Sequence, residues 1–351
     1  MLDRYLAWTF LKFFLVVASI ILALDVLFAF IDELEKKEVG YSFIQIFIFV
    51  CLTIPSRLYE FLPVSSLIGA MVGLGLLATQ SELIVLRAAG LSIYRILLPI
   101  GVVAILIGLL GVLLAEFVIP KTAPIAQNYR AIHVGDGEFL QLRQGNWQKS
   151  GEEFIFFKAV DQQGALHNLF IFNLFEDGKL QQITQANRAI YNNKQWSLYQ
   201  VEKTRILGDS VESEQAPIML WTSDLTPQTL MRGVLAPEYF SITQLFSHIA
   251  YLKQQGVYFK SFELAFWKKA LQPLATIVMV ILASSLAFGS LRQSSIGLRV
   301  TLGVIFGLTF QYFQDMFGSM ASVFNISIIF ASVFPMLLFF VIGSYQLKRA
   351  S

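Results

Sequence analysis

Six long apolar stretches run along the chain, and an extended polar region separates the first three from the last three. A helix needs about 20 mostly apolar residues to cross a bilayer. The pattern therefore predicts an α-helical membrane protein with six transmembrane helices, three on each side of an inserted domain. The expected spans are residues 10–31, 58–78 and 96–119, then residues 270–291, 298–316 and 326–347. The corresponding units are residues 1–120, 121–261 and 262–351.

The second apolar region is longer than one straight span requires, because it covers residues 41–79. Pro55 and Pro63 are expected to break its helix, since proline lacks a donor and clashes with the preceding turn. We interpret residues 43–54 as an interfacial or tilted extension and residues 58–78 as the span itself. The third span is expected to end at the proline that follows residue 119.

Charged and small residues inside the first two spans suggest how their helices pack. Arg57 and Glu60 are three positions apart and could pair on one helical face. Asp25 is expected near the outer interface or facing the bundle, and a proton relay is the alternative. Gly69 and Gly73 have the small-xxx-small spacing that lets another helix approach closely.

The central polar region has the pattern of an all-β domain. Strand-length apolar runs alternate with turn residues such as Gly, Asn and Asp, which is typical of a sandwich or jellyroll-like roll. A helix is expected over residues 241–255, with Ser241 as its N-cap. The predicted strands are residues 154–160, 166–174, 180–190 and 196–206.

Two of these strands are apolar on both faces. Residues 154–157 read Phe-Ile-Phe-Phe and residues 169–172 read Leu-Phe-Ile-Phe. One interpretation is a core with two apolar layers. The other is that one face lines a groove for an apolar ligand.

Composition and charge agree with a membrane location. The chain of 351 residues is 56% hydrophobic and 14% charged, whereas soluble domains carry about 25% charged residues. A net charge of +2 does not favour a nucleic-acid partner. The Lys and Arg residues of the short loops place both termini on the cytoplasmic side and the β domain in the periplasm. That bias comes from Arg4, Lys12, Arg87, Arg95, Arg292, Arg299, Lys348 and Arg349.

The sequence carries no recognisable catalytic or metal-binding pattern. The three histidines are isolated, Cys51 is the single cysteine, and no phosphate-binding loop of the Walker A type is present. We therefore predict a non-catalytic chain without cofactor or metal. If transport is driven by ATP, a separate polypeptide must hydrolyse it.

The most specific stretch lies between the second and third spans, at about residues 80–92. Ser81 could cap a short helix with Glu82 in its first turn. Leu83 and Leu86 would form an apolar stripe, and Gly90 could end the helix. Such a helix could dock into a groove of a soluble partner or lie flat on the membrane.

Together with this loop, three other segments resemble one known family over nearly the whole chain. They are the start Met1-Leu2-Asp3-Arg4-Tyr5, the stretch Asn128-Tyr129-Arg130-Ala131, and Trp267 followed by Gln272-Pro273-Leu274. In order and spacing they resemble the lipopolysaccharide export permease family, LptF/LptG. The opening five residues favour one of its two branches.

The resemblance implies a half-permease that extracts lipopolysaccharide from the inner membrane and passes it to a periplasmic bridge. Its implied partners are a second permease subunit of the LptF type, two LptB-type ATPases and a bitopic LptC-type protein. The residues implied in coupling to the ATPase are Glu82, Leu83, Leu86, Arg87 and Gly90. The residues implied in binding the lipid are Lys36, Lys37 and Arg130.

Two alternatives remain at this stage. Lys36 and Lys37 could instead be solvated charges that pair with Glu33 and Glu35. The whole chain could also be a membrane-anchored periplasmic sensor or assembly scaffold rather than a transporter. An enzyme embedded in the membrane is disfavoured, because no catalytic set is visible.

Overall fold

The computed structural model of the chain contains a helical bundle and one β-sheet. We name the end of the bundle that carries the sheet the sheet end, and the other the opposite end. The structure describes residues 1–35, 42–134, 140–150, 153–160, 164–175, 179–192, 195–207, 210–223, 226, 236–254, 259–289, 294–324 and 326–350.

Among the described residues, six helices are long and apolar enough to cross a membrane, which confirms the three-plus-three arrangement. The helices before the sheet are α1 (Leu2–Glu35), α2 (Phe43–Thr79), α3 (Glu82–Ala88), α4 (Ile93–Leu113) and α5 (Ile119–Val134), with a π-helical segment at Leu114–Val118 between the last two. After the sheet come a 3-10 turn at Pro237–Tyr239, then α6 (Ile242–Gln254), α7 (Lys260–Phe288), α8 (Ile296–Phe324) and α9 (Ile328–Ala350).

The prediction that prolines break the second helix is wrong, because α2 is continuous through Pro55 and Pro63. Pro63 cannot donate to the carbonyl of Tyr59, four residues earlier. That carbonyl instead accepts a hydrogen bond of 3.0 Å from Gln272 Nε2 of α7. A side chain of the neighbouring helix α7 therefore replaces the N–H donor that the proline lacks.

The third helix also continues past its expected end at Pro120. It passes through the π-helical segment Leu114–Val118 and runs on as α5 to Val134. The wide turn precedes Pro120, which has no N–H for the carbonyl of residue 116. The first strand starts only at Leu140, so the proposed inserted region, residues 121–261, also includes helices.

The bundle is built around α2 and α7. In α2, 89% of the most apolar span is buried within the chain, against 11% for α1 and 22% for α8. As the glycine spacing predicts, helices approach closely: a Cβ added to Gly69 would lie 2.7 Å from Phe14 Cα. Residues from α1, α2, α4, α7, α8 and α9 share one apolar core, so the two lightly buried helices are the outer members of a single bundle.

The inserted all-β domain is confirmed as a six-stranded antiparallel sheet whose strands follow each other in chain order. Trp221 Nε1 of the last strand donates to Glu153 Oε2 of the second at 3.0 Å, although three strands lie between them in the sheet. The sheet therefore rolls up on itself. Its strands are β1 (Leu140–Ser150), β2 (Glu153–Val160), β3 (Leu166–Leu174), β4 (Leu180–Asn192), β5 (Gln195–Leu207) and β6 (Ser210–Trp221), of which sequence analysis missed the first and the last.

The doubly apolar strands have a different environment on each face. On the inner face, Ile155, Phe157 and Leu169 are completely buried in the core of the roll. On the other face, Phe156 and Phe170 belong to a row of rings 5.1–6.4 Å apart that also includes Trp147 and Phe172. The inner face therefore packs as a hydrophobic core, whereas the outer face carries a row of aromatic side chains.

Candidate functional site

The short helix α3 lies at the opposite end, between α2 and α4. Ser81 does not cap it as expected, because Ser81 has a left-handed backbone (φ 62°) and its side chain makes no capping hydrogen bond. Gly90 has φ +84° just beyond the helix, a conformation that favours glycine. Gly90 therefore ends this segment as the sequence indicates.

The apolar side chains of α3 divide between the bundle and the surface. Leu83 is 4% exposed and packs in the bundle core together with the partly buried Leu86. Ile84 is 44% exposed and Val85 65% exposed. The predicted stripe thus holds the helix to the bundle, whereas the neighbouring pair, which sequence analysis missed, faces outward. The 3.6-residue period defines both faces and does not tell which one the bundle covers.

Polar contacts join this helix to the start of α1. Tyr5 Oη donates to Glu82 Oε2 at 2.9 Å. Nearby, Arg95 of α4 forms an ion pair of 2.9 Å with Asp3. Arg87 lines a small cavity between α3 and the end of α7. The start of α1 thus contacts both α3 and α4 at this end of the bundle.

A cavity of about 600 Å³ with a mostly apolar surface opens at the sheet end, between α2, α5, α7 and α8. Ser56 and Tyr59 are among the residues that line it, and their buried hydroxyl oxygens have no hydrogen-bond partner among the described residues. Buried polar atoms are normally hydrogen-bonded, so these two hydroxyls stand out among the residues around the cavity. Amide groups of Gln127 and Gln314 complete this part of the lining.

Ion pairs at the cavity connect the outer helices to the central ones. Arg57 Nη1 contacts Asp25 Oδ2 at 2.6 Å, so Asp25 faces the bundle as expected. The predicted pairing of Arg57 with Glu60 is not observed, since Glu60 instead accepts from Gln311 of α8 at 3.0 Å. A third contact joins Lys268 to Asp315 at 2.6 Å.

Of the residues implied in lipid binding, only Arg130 lies within the described residues. Its Nε contacts Glu33 Oε1 at 2.5 Å, and Glu33 is 4% exposed. The guanidinium also stacks 5.8 Å from the ring centre of Phe49. Arg130 therefore joins α5 to α1 and α2, while Lys36 and Lys37 lie outside the described residues.

The short segment above the cavity is held by buried polar groups. Lys269, which is 4% exposed, donates to the main-chain oxygen of Phe240 at 2.5 Å. Gln127 Nε2 donates to Tyr239 Oη at 2.9 Å. Burial, followed by the charge of Glu238, raises the pKa of Tyr239, so its phenol stays protonated at neutral pH. Within the described part of the chain, no three His, Cys, Asp or Glu residues are grouped to hold a metal.

Six membrane-length helices among the described residues, a cavity beside an inserted β domain, and a short partly exposed helix at the opposite end define a multi-pass membrane protein. The sequence model of the lipopolysaccharide export system permease LptF/LptG family matches residues 4–349. The chain belongs to this family, and it is a multi-pass inner-membrane protein.

Two relatives illustrate the similarity. Over 351 residues the chain is 31% identical to the lipopolysaccharide export system permease protein LptG of Haemophilus influenzae, covering 99% of this chain and 98% of that protein. Over 354 residues it is 32% identical to LptG of Escherichia coli K12, covering 100% and 98%. Both relatives carry the LptG name, the branch favoured by the opening residues Met1 to Tyr5.

Proposed function

We propose that the chain is one of two permease subunits of an ATP-driven exporter that takes lipopolysaccharide from the inner membrane to a periplasmic bridge. Family membership across residues 4–349 is the observation that carries this proposal. The sheet end would face the periplasm, and both termini and α3 would face the cytoplasm, as the loop charges indicate. The chain itself would hydrolyse no ATP.

The lightly buried helices support a second permease subunit. In α1 and α8 the most apolar spans are only 11% and 22% buried within the chain. Both helices flank α2; Asp315 of α8 lines the cavity, and Asp25 of α1 pairs with the cavity residue Arg57. A subunit of the LptF type would meet this side, so that the two chains enclose a larger cavity. A bitopic LptC-type protein would join the assembly at the periplasmic side.

The exposed face of α3 supports contact with a soluble ATPase of the LptB type, one of two in the complex. Ile84 and Val85 would enter a groove of that subunit, as amphipathic helices do. Glu82, Arg87 and Gly90 would set the polar contacts and the end of the helix. Leu83 and Leu86 would act differently, by holding α3 to the bundle so that its movement reaches the membrane helices.

The cavity supports a lipid with a polar head. Moving acyl chains through water would cost about 0.8 kcal/mol for each exposed CH₂, so an enclosed path is needed. The hydroxyls of Ser56 and Tyr59 would bind sugar or phosphate oxygens of the head group. Lys36 and Lys37 would add charge-assisted bonds to phosphate. Arg130 would contribute less to lipid binding, because its charge is already paired with that of Glu33.

Transport requires the lipid to bind differently in two states of the protein. Closure of the ATPase pair would move α3, and the link from Glu82 to Tyr5 would carry that movement to α1. The cavity would narrow as α1 and α8 shift against α2. The lipid would then leave toward the β domain.

Co-purification tests the proposal. The chain should bring down an ATPase and a second permease, and Glu82→Lys should abolish lipid export or ATPase binding, with Lys348→Glu at the terminal helix end as the control for a charge reversal. Purification as a stable homodimer without ATPase would refute the transporter and favour a sensor or scaffold. Unchanged ATPase binding and export in Glu82→Lys would refute the coupling role.

A separate experiment tests the lysines. Changing both Lys36 and Lys37 to Glu should weaken photo-crosslinking to lipopolysaccharide, because two cations near phosphate become anions. Lys179→Glu, just before β4, is the control for a charge reversal and should leave crosslinking unchanged. Undiminished crosslinking in the double variant would assign Lys36 and Lys37 to the solvated loop instead.

A further inference from the structure

Glu116 makes an unusual set of contacts with a helix far away in sequence. It lies in the π-helical segment Leu114–Val118. Its Oε2 accepts from the main-chain nitrogens of Ile242 at 2.9 Å and Thr243 at 3.4 Å. Its Oε1 accepts from Thr243 Oγ1 at 2.5 Å. One carboxylate of the third membrane helix thus binds the first turn of α6.

This contact satisfies donors that a helix cannot satisfy itself. The first N–H groups of a helix have no partner within it, and a carboxylate is favoured there by the helix dipole. Ser241 forms the capping box of α6, with hydrogen bonds of 3.1 Å and 3.0 Å exchanged with Gln244. Glu116 covers the two intervening amides, so docking on the π-helical segment satisfies the first turn of α6.

The π-helical segment provides the place for this carboxylate. Such wide turns are rare and occur often at functional sites. Glu116 lies in the middle of the segment, four residues before Pro120. Its side chain contacts the start of α6. The distortion therefore coincides with an inter-helix contact.

The segment that precedes α6 forms a wall of the cavity. We name residues 237–240 the strap. Pro237, Glu238 and Tyr239 line the cavity. The strap is held by Tyr239 to Gln127 of α5 and by Phe240 to Lys269 of α7. Together, α5, α7 and the π-helical segment that carries Glu116 therefore hold the strap and the start of α6. The strap follows the sheet in the chain.

We infer that Glu116 is a positioning residue for passage of the lipid from the cavity to the β domain. By docking α6, Glu116 keeps the strap in place. The strap forms the cavity wall next to the point where the chain returns from the sheet. Without this anchor α6 is no longer docked, the strap loses one of its three attachments to the bundle, and lipid in the cavity is less well directed to the sheet. This inference rests on the proposed export function, because it concerns the exit from the same cavity.

The test uses the complex purified with its permease and ATPase partners and placed in liposomes with lipopolysaccharide. A photo-crosslinker at Gln314, which lines the cavity, measures loading. Transfer to a soluble bridge protein measures exit, and ATP hydrolysis is followed in parallel. In Glu116→Ala, transfer per ATP should fall about tenfold, the size expected for losing a helix cap, while loading stays unchanged.

Two further variants separate positioning from general damage. Thr243→Val removes one of the contacts and should give a smaller fall in transfer. Thr122→Val is the matched control, because Thr122 Oγ1 donates only within its own helix, to Val118 O at 3.2 Å, and it should transfer lipid as the unchanged protein does. Glu116→Gln keeps an acceptor oxygen and should restore part of the transfer.

Loss of loading in parallel with transfer would overturn the inference, since Glu116 would then be structural only. Unchanged transfer in Glu116→Ala would overturn it as well. Hydrogen exchange supplies a measurement that does not depend on transport: the amides of Ile242 and Thr243 should exchange faster in Glu116→Ala, and unchanged protection would refute the docking role. Failure of the unchanged complex to load or export lipid would instead count against the proposed function.

Discussion

Gln272 Nε2 donates to the main-chain oxygen of Tyr59, and this oxygen is the one for which Pro63 provides no helical donor. The contact crosses from α7 to α2 near the middle of the chain's buried bundle. It gives a physical role to Gln272, one of the residues that carry the family resemblance. Both helices depend on it, because an unsatisfied carbonyl is costly where water is excluded.

Gln272→Leu should lower the free energy of unfolding by about 1–3 kcal/mol, the cost of leaving a buried acceptor unsatisfied. Thermal unfolding of the purified chain in detergent measures it. Adding Pro63→Ala to this variant should recover part of the loss, since an alanine in place of the proline would supply the missing N–H to the carbonyl of Tyr59. An equal loss in the single and double variants would contradict this account.

Gly69→Ala should destabilise the bundle by about 1–3 kcal/mol, because overpacking forces backbone shifts. The added Cβ would meet the backbone of Phe14 at 2.7 Å, so α1 and α2 would have to separate. Gly101→Ala is the matched control, since no atom lies within 4 Å of its added Cβ. Similar melting temperatures for the two variants would refute the close contact between α1 and α2.

Arg130→Ala should lower stability by about 2 kcal/mol, less than the 3–5 kcal/mol of fully buried pairs, because Arg130 is partly exposed. The loss arises because the buried carboxylate of Glu33 remains without its ion pair. Removing both charges, as in Arg130→Met with Glu33→Leu, should restore most of the stability.

The same double variant separates structure from lipid binding. If Arg130 serves only to join the helices, lipid crosslinking should recover together with the melting temperature. A stable double variant that still fails to crosslink lipopolysaccharide would show that Arg130 also contacts the lipid.

Tyr5→Phe should reduce lipid export per ATP by about fivefold, since the hydrogen bond to Glu82 is worth about 1 kcal/mol. ATPase binding should persist, because the exposed side chains of α3 remain. Tyr94→Phe is the control, as Tyr94 is an exposed tyrosine of the neighbouring helix α4. Full export by Tyr5→Phe would exclude a direct link from α3 to α1.

Features that depend on neighbouring residues could be predicted from the sequence. The six spans follow from hydropathy, and the strand Leu166–Leu174 was predicted to the residue. Ser241 begins α6 with the expected cap because capping involves only residues three positions apart. Strand β1 was missed since it is largely polar, and β6 since its first half is largely polar. Pairing with neighbouring strands, rather than their own pattern, defines both.

The candidate sites were predictable only in part. The positions of Glu82 in the first turn of α3 and of Gly90 just beyond its end follow from local helix chemistry, and of the two expected positions of Asp25 the structure has the one facing the bundle. The cavity hydroxyls of Ser56 and Tyr59 gave no signal, because an isolated Ser or Tyr in an apolar span has many ordinary explanations. Nothing near Glu116 in the sequence indicates that it binds a helix more than 120 residues away.

The sequence by itself determined how many described helices are long and apolar enough to cross a membrane, that the β domain lies between the third and the fourth of them, and that Gly90 ends the α3 segment. These properties depend on apolar length and local hydrogen bonding. Only the tertiary structure decided that α2 continues through its prolines, that Leu83 faces inward, and that Arg57 pairs with Asp25 rather than Glu60. In each case the deciding partner comes from another helix, and its distance in sequence hides it until the helices pack.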